Sequence, residues 1–155
     1  MAYLDRVLQP GETVLIRARL HWYVYVAPLL GLVVALAVVV ATFVFLPKSQ
    51  LAWGGYGLAG LIALAAVVSL VGRMIRVATT EFGVTNHRVI VKRGIFSLHT
   101  VEMNVDKVES VDVDQSILGR ILNYGDILIR GTGEGIEPLK DIESPIAFRN
   151  NVTAK

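Results

Sequence analysis

No cysteine occurs anywhere in the 155-residue chain, so a disulfide framework, a thiol nucleophile and a cysteine metal site are all excluded. Charge is scarce as well. Only 18% of the residues are Asp, Glu, Lys or Arg against 54% hydrophobic, a balance too apolar for an ordinary soluble domain. The three histidines, His21, His87 and His99, stand apart and show no His-x-x-x-His spacing for a metal. No serine lies in a nucleophile-elbow context. The run Gly131-Thr132-Gly133-Glu134-Gly135 is not followed by Lys-Ser/Thr and leads into a strand pattern, so it reads as a connection between strands and not a phosphate loop. Asp106, Glu109, Asp112 and Asp114 lack the spacing of an EF-hand loop and read as solvated strand and loop positions. The expectation is a non-enzymatic protein with no catalytic residues, no metal and no cofactor.

What the chain does contain is two long uncharged runs. From Trp22 to Pro47, and again from Ser49 to Gly72, there is no Asp, Glu, Lys, Arg or His. Each run exceeds the ~20 apolar residues that a helix needs to cross a ~30 Å hydrocarbon layer. Only Pro47-Lys48-Ser49-Gln50 parts them, which predicts a transmembrane helical hairpin with spans at 22–46 and 51–72. The first run follows Arg17, Arg19 and His21 and is longer than a signal-peptide core, so it is expected to stay attached.

Arg6, Arg17 and Arg19 precede the first span, while Arg73, Arg76, Arg88, Lys92 and Arg93 follow the second. The turn carries only Lys48. The positive-inside rule therefore places both termini in the cytoplasm. Trp22, Tyr23 and Tyr25 at one end and Trp53 and Tyr56 at the other fit interfacial anchors. Small residues recur at four-residue spacing, Ala27, Gly31 and Ala35 in the first span and Gly55, Ala59 and Ala63 in the second. Such faces let helices approach closely in lipid, either within one chain or between copies. Neither span holds an ionisable residue, which disfavours transport.

Outside the hairpin remain 1–21, an N-terminal segment with one strand, and 73–155, a cytoplasmic domain. Val14, Ile16, Ala18 and Leu20 alternate with Leu15, Arg17 and Arg19, the period of a half-buried strand. A lone strand is not stable, so it must join a sheet encoded after the second span. Strands are predicted at Thr79–Val84, Arg88–Lys92, Leu98–Asn104, Val108–Asp114, Ile127–Gly131 and Glu137–Ile142. Ser116–Leu122 places Ile117, Leu118, Ile121 and Leu122 at helical spacing, a short helix closing on the core. Ser144-Pro145 reads as the cap and first turn of a last helix reaching about Val152, with Ile146 and Phe148 toward the sheet. The fold class is thus membrane α plus β: a two-helix hairpin inserted in a small antiparallel β barrel or sandwich with a C-terminal helix.

Taken in order, Leu8-Gln-Pro-Gly-Glu12, a strand ending at His21-Trp22, two spans, Thr85-Asn86-His87-Arg88-Val89-Ile90, Lys92-Arg93-Gly94, and Gln115-Ser116-Ile117-Leu118-Gly119-Arg120 followed by Tyr124-Gly125 resemble the bacterial pleckstrin-homology-like (PH-like) membrane proteins. The likeness covers nearly the whole chain. It implies two roughly orthogonal antiparallel sheets and a C-terminal helix, and little about activity, since that family is mostly of unknown function.

Charge is divided along the chain. Residues 1–94 hold nine Lys and Arg against three Asp and Glu, a net +6, and residues 95–155 hold six against ten, a net −4. Anionic lipid attracts nearby basic side chains. Arg17, Arg19, Trp22, Tyr23, Arg73, Arg76, Arg88, Lys92 and Arg93 are therefore candidate membrane contacts, with the acidic part turned away. Nucleic acid is disfavoured, because no aromatic platform accompanies the basic residues. The leading expectation is a membrane-anchored interaction or self-assembly module at the bacterial inner membrane, partnered by membrane lipids and by another membrane protein or a homo-oligomer. The alternative is a sensor of anionic lipid.

Overall fold

Between Val14 and Ala18 the chain extends as β1, and the alternation read from the sequence is kept: Ala18 and, just beyond, Leu20 are buried while Leu15, Arg17 and Arg19 are exposed. The computed structural model describes residues 7–47, 49–94, 99–132 and 136–153; Arg6, the Lys48 turn, Leu98 and the loop glycines at 133 and 135 lie outside the described residues. β1 pairs antiparallel with β2 (Glu81–Thr85), Val14 opposite Thr85 and Ala18 opposite Phe82. With β3 (Arg88–Arg93) and β4 (His99–Asn104) they form one sheet in the order β1-β2-β3-β4. The strand before the apolar runs thus completes a sheet made after them.

A second antiparallel sheet holds β5 (Val108–Asp114), β6 (Tyr124–Gly131) and β7 (Ile136–Glu143). Its apolar face shares one core with the first sheet: Phe82, Val84, Val89 and Val91 from one side meet Ile127, Ile129, Leu139 and Ile142 from the other. An isolated bridge between Leu20 and Ile142 links the sheets at one corner. Of the barrel or sandwich expected, the structure shows two sheets around a common core, and no barrel closes.

Among the described residues the longer helices are α1 (Val26–Phe45), α2 (Leu51–Thr79), α3 (Ile117–Leu122) and α4 (Pro145–Thr153). On α4 the fully buried Phe148 and, four residues on, Val152 enter the core. Burying a phenylalanine is worth about 2–3 kcal/mol. Ile146, expected beside Phe148, is 46% exposed instead. Two residues turn a helix by about 200°, so the pair cannot share a face.

The short helix departs further from expectation. Ser116 caps α3, its Oγ accepting from Gly119 N–H at 3.0 Å, but the side of α3 against the sheet is Gly119. A Cβ there would lie 2.6 Å from the Tyr124 carbonyl oxygen. With that glycine seated on the strand, the bulky neighbours turn outward: Ile117 is 80% exposed, Leu118 54% and Ile121 73%.

The chain divides into two compact units, residues 1–21 with 76–155, and residues 22–75. In the second unit a 3-10 turn at Trp22–Tyr25 leads into α1. The buried positions are Pro28, Ala35 and Thr42 on α1 and Ala52, Ala59 and Ala66 on α2, a seven-residue repeat. Gly31 faces Ala66, and Gly55 faces Thr42, eleven residues apart on both helices. Of the expected seam, Ala35 and Ala59 are buried, Gly31, Gly55 and Ala63 are half-buried, and Ala27 is exposed. Antiparallel helices crossing at a shallow angle stay in contact through a repeat of 3.5 residues, whereas a four-residue ladder belongs to the steeper crossing. Both helices are long and apolar enough to cross a membrane, and only 17% and 11% of their most apolar windows are buried within the structure. α2 runs past the expected end at 72 to Thr79, because Arg73, Met74, Arg76 and Ala78 are good helix formers.

Candidate functional site

A densely hydrogen-bonded polar cluster of the β unit is built by residues from both sides of the apolar runs. Pro10-Gly11 make the turn that presents Glu12; Gly11 has φ 85°, a left-handed conformation suited to glycine. Within that turn, Gln9 N–H donates to Glu12 Oε2 at 2.8 Å. Glu12 Oε1 accepts from Thr85 Oγ1 at 2.7 Å and from Arg88 Nε at 2.9 Å, and Oε2 accepts from Arg88 Nη2 at 2.9 Å. The same guanidinium donates to Glu102 Oε2 at 2.6 Å and to the Val7 carbonyl at 2.9 Å. Around it, Thr13 N–H donates to Asn86 Oδ1 at 3.0 Å and Asn86 N–H to the Thr13 carbonyl at 3.1 Å.

Hydrogen bonding from Arg88 is the chief cause that lowers the Glu12 pKa from 4.5 to about 2, and the same contact raises that of Arg88. The Glu12 side chain is 2% exposed and that of Arg88 12%. A carboxylate so strongly held in its charged form is a poor proton acceptor at neutral pH, and the cluster acts as a clasp. Arg88 was expected to face lipid. Two carboxylates occupy its guanidinium instead.

The remaining basic residues are dispersed. Arg93 Nη2 donates to the Pro138 carbonyl at 2.9 Å and its guanidinium lies 5.9 Å from the Phe82 ring centroid, tying β3 to β7. Lys92 is half-buried and opposite Glu81 in the strand register. Arg17 and Arg19 are exposed and line a groove of about 240 Å³ with Val77, Thr80, Glu81 and Phe82. Arg76 is exposed in the last turn of α2. In the helical unit Trp22 is exposed, Tyr23 is half-buried, and Arg73 Nη1 donates to the Val24 carbonyl. Of the nine candidates, Arg17 and Arg19 meet in this groove.

One feature was missed in the sequence. The exposed Ile117, Leu118 and Ile121 stand on a rigid base, where Gln115 Nε2 donates to the Tyr124 carbonyl at 2.9 Å and Asn123 N–H to Gly119 O. The Tyr124 ring stacks on His21, centroids 5.2 Å apart at 26°. The signal was Gly119 among the aliphatic residues of α3, marking which face must approach backbone. Among the described residues no group of His, Asp or Glu could hold a metal ion.

Two antiparallel sheets closed by a C-terminal helix are the arrangement that the resemblance implied, and the family model described as bacterial PH domain matches residues 23–155. The chain belongs to the bacterial PH domain family. No curated protein and no solved structure matches it. The family match spans both apolar helices and β2 to β7, and β1 lies ahead of it. In this PH domain, the residues from Gly11 to Thr13 and from Thr85 to Arg88 are the clasp that fastens β1 to the strands that follow.

Proposed function

We propose that the chain is a non-enzymatic module anchored in the bacterial inner membrane by α1 and α2, both termini cytoplasmic, whose PH-like domain engages another membrane protein or a second copy of itself. Connectivity supports the paired crossing: β1 and β2 are hydrogen-bonded neighbours, so the hairpin between them must leave and return on the same side. Basic residues flank both ends of it.

The observation that carries the interaction reading is the surface that the hairpin leaves unused. Gly31, Ala35, Thr42, Gly55, Ala59 and Ala66 are consumed by packing within the chain. Gly54, Gly57 and Gly60, by contrast, recur every third residue on α2 with open space where a Cβ would stand. Gly60 also lines a groove of about 380 Å³ between Leu36 and Val39 of α1 and Tyr56 and Ala63 of α2. In lipid, a groove floored by small residues favours another helix by close packing. Mass measurement in nanodiscs tests this: wild type is expected to exceed the 16.9 kDa of one chain, and Gly57→Leu/Gly60→Leu to return it to that value. If both run as monomers and cross-link to the same native-membrane proteins, the groove is not the interface.

The anionic-lipid reading keeps Arg17 and Arg19, which share the groove beside β1. Each basic residue near an anionic surface contributes about 1 kcal/mol. Native mass spectrometry of the full chain should therefore show about 30-fold weaker retention of anionic lipid in Arg17→Glu/Arg19→Glu. Equal retention sinks this reading.

A further inference from the structure

An aliphatic cluster turned to solvent on a rigid base needs an occupant, because a folded domain gains nothing by holding such side chains in water. Ile117, Leu118 and Ile121 form that cluster on α3. A fourth aliphatic belongs to the same corner. Asn123, which ends α3, donates from Nδ2 to Ser144 Oγ at 2.8 Å and accepts Ser144 N–H at 2.9 Å, and the exposed Ile146 follows two residues later.

Within the β unit this corner lies beside the residue that precedes the first apolar helix. Tyr124, two residues beyond α3, is stacked on His21, whose N–H donates to the Asp141 carbonyl at 2.8 Å. His21 is one peptide bond from Trp22, where the uncharged run of the first helix begins. Three residues of chain span at most about 10 Å, so Ile121 cannot stray far from that stacked pair. The polar zone of one leaflet is itself about 5–7 Å deep. From Gln115 to Tyr124 the only charged residue is Arg120, an exposed cation, which suits anionic head groups.

We propose that the corner built by α3 and the start of α4 dips into the cytoplasmic face of the bilayer, with Ile117, Leu118, Ile121 and Ile146 entering the boundary between head groups and acyl chains. The contact orients the PH domain on the membrane that anchors it. Interfacial segments bury their apolar faces about 5–10 Å into that boundary, a depth within reach of α3 side chains. The inference rests on the reading that α1 and α2 cross the membrane, and it adds a lipid contact outside them.

The absence of native cysteine makes the test direct. Single variants Ile121→Cys, Leu61→Cys and Glu109→Cys of the full chain are labelled with an environment-sensitive fluorophore and reconstituted into vesicles of mixed zwitterionic and anionic lipid. All three positions are exposed, so the labels leave the core intact. Brominated lipids then report depth. The label at 121 should be quenched at least twofold by bromine near the head of the acyl chain. At 61 it should be quenched most by deep bromine, and at 109, about 20 Å away along β5, not at all. Quenching at 61 without quenching at 121 overturns the inference and leaves the spans intact. No quenching at 61 overturns the membrane reading itself. A label at 121 that is unquenched in pure lipid but blue-shifted only in native membranes assigns the corner to a protein, and also overturns the inference.

Discussion

Replacing Glu12 by Gln removes the charge that joins the segment before the apolar helices to the sheet after them, and its cost can be worked from the geometry. Lowering a carboxyl pKa from 4.5 to about 2 corresponds to about 3 kcal/mol of folded-state stabilisation at neutral pH. Arg88 retains Glu102 at 2.6 Å, and the Glu102 side chain is 34% exposed, so solvent moderates the loss. We expect about 2 kcal/mol, equivalent to about 30-fold faster hydrogen exchange in peptides covering β2 and β3, measured by mass spectrometry on the full chain in nanodiscs.

The pH dependence supplies a second check. A depressed carboxylate pKa contributes stability that is fully present above the unfolded value of about 4.5 and disappears as pH falls toward 2. The gap between wild type and Glu12→Gln should therefore shrink to less than half by about pH 3. Equal exchange at pH 7, or a gap unchanged between pH 7 and pH 3, would refute the role assigned to the clasp.

Gly119→Ala places a methyl 2.6 Å from the Tyr124 carbonyl, a backbone atom that cannot yield cheaply, so the β unit should lose about 1–3 kcal/mol in thermal or denaturant unfolding. An unchanged midpoint would show that α3 is not pinned to β6. Gly55→Leu collides with Thr42 inside the hairpin, and should lower hairpin stability, in contrast to Gly57→Leu, which meets open space and should alter only association. Equal effects of the two on unfolding would erase the distinction between the inner seam and the open face.

Much of the fold was legible because periodicity reports burial directly. The alternation from Val14 to Leu20 marks the face that leaves water, the paired apolar runs mark the two long helices, and Ser144-Pro145 marks where α4 begins. Even the boundary strands β5 and β3 fall within a residue of their expected limits. Three features were not legible, each for a physical reason. The hairpin seam depends on crossing angle, which decides whether a four- or seven-residue repeat stays in register, and small residues occur at both spacings. The outward rotation of α3 depends on a single backbone approach at Gly119, invisible to a count of aliphatic positions. Arg88 looked like a surface cation because its partner, Glu12, lies 76 residues away across the apolar runs. Only the folded sheet brings them together.

The pairing of Val14 with Thr85 has a consequence for biosynthesis. At a ribosomal pace of about 5–20 residues per second, the first strand emerges roughly 4–14 seconds before its neighbour exists. During that interval it has no ladder partner, while the apolar segment between them is already complete. Order of assembly is thereby dictated by connectivity: both apolar helices are made before β2, and the sheet matures only once the second half of the chain arrives to capture the waiting strand.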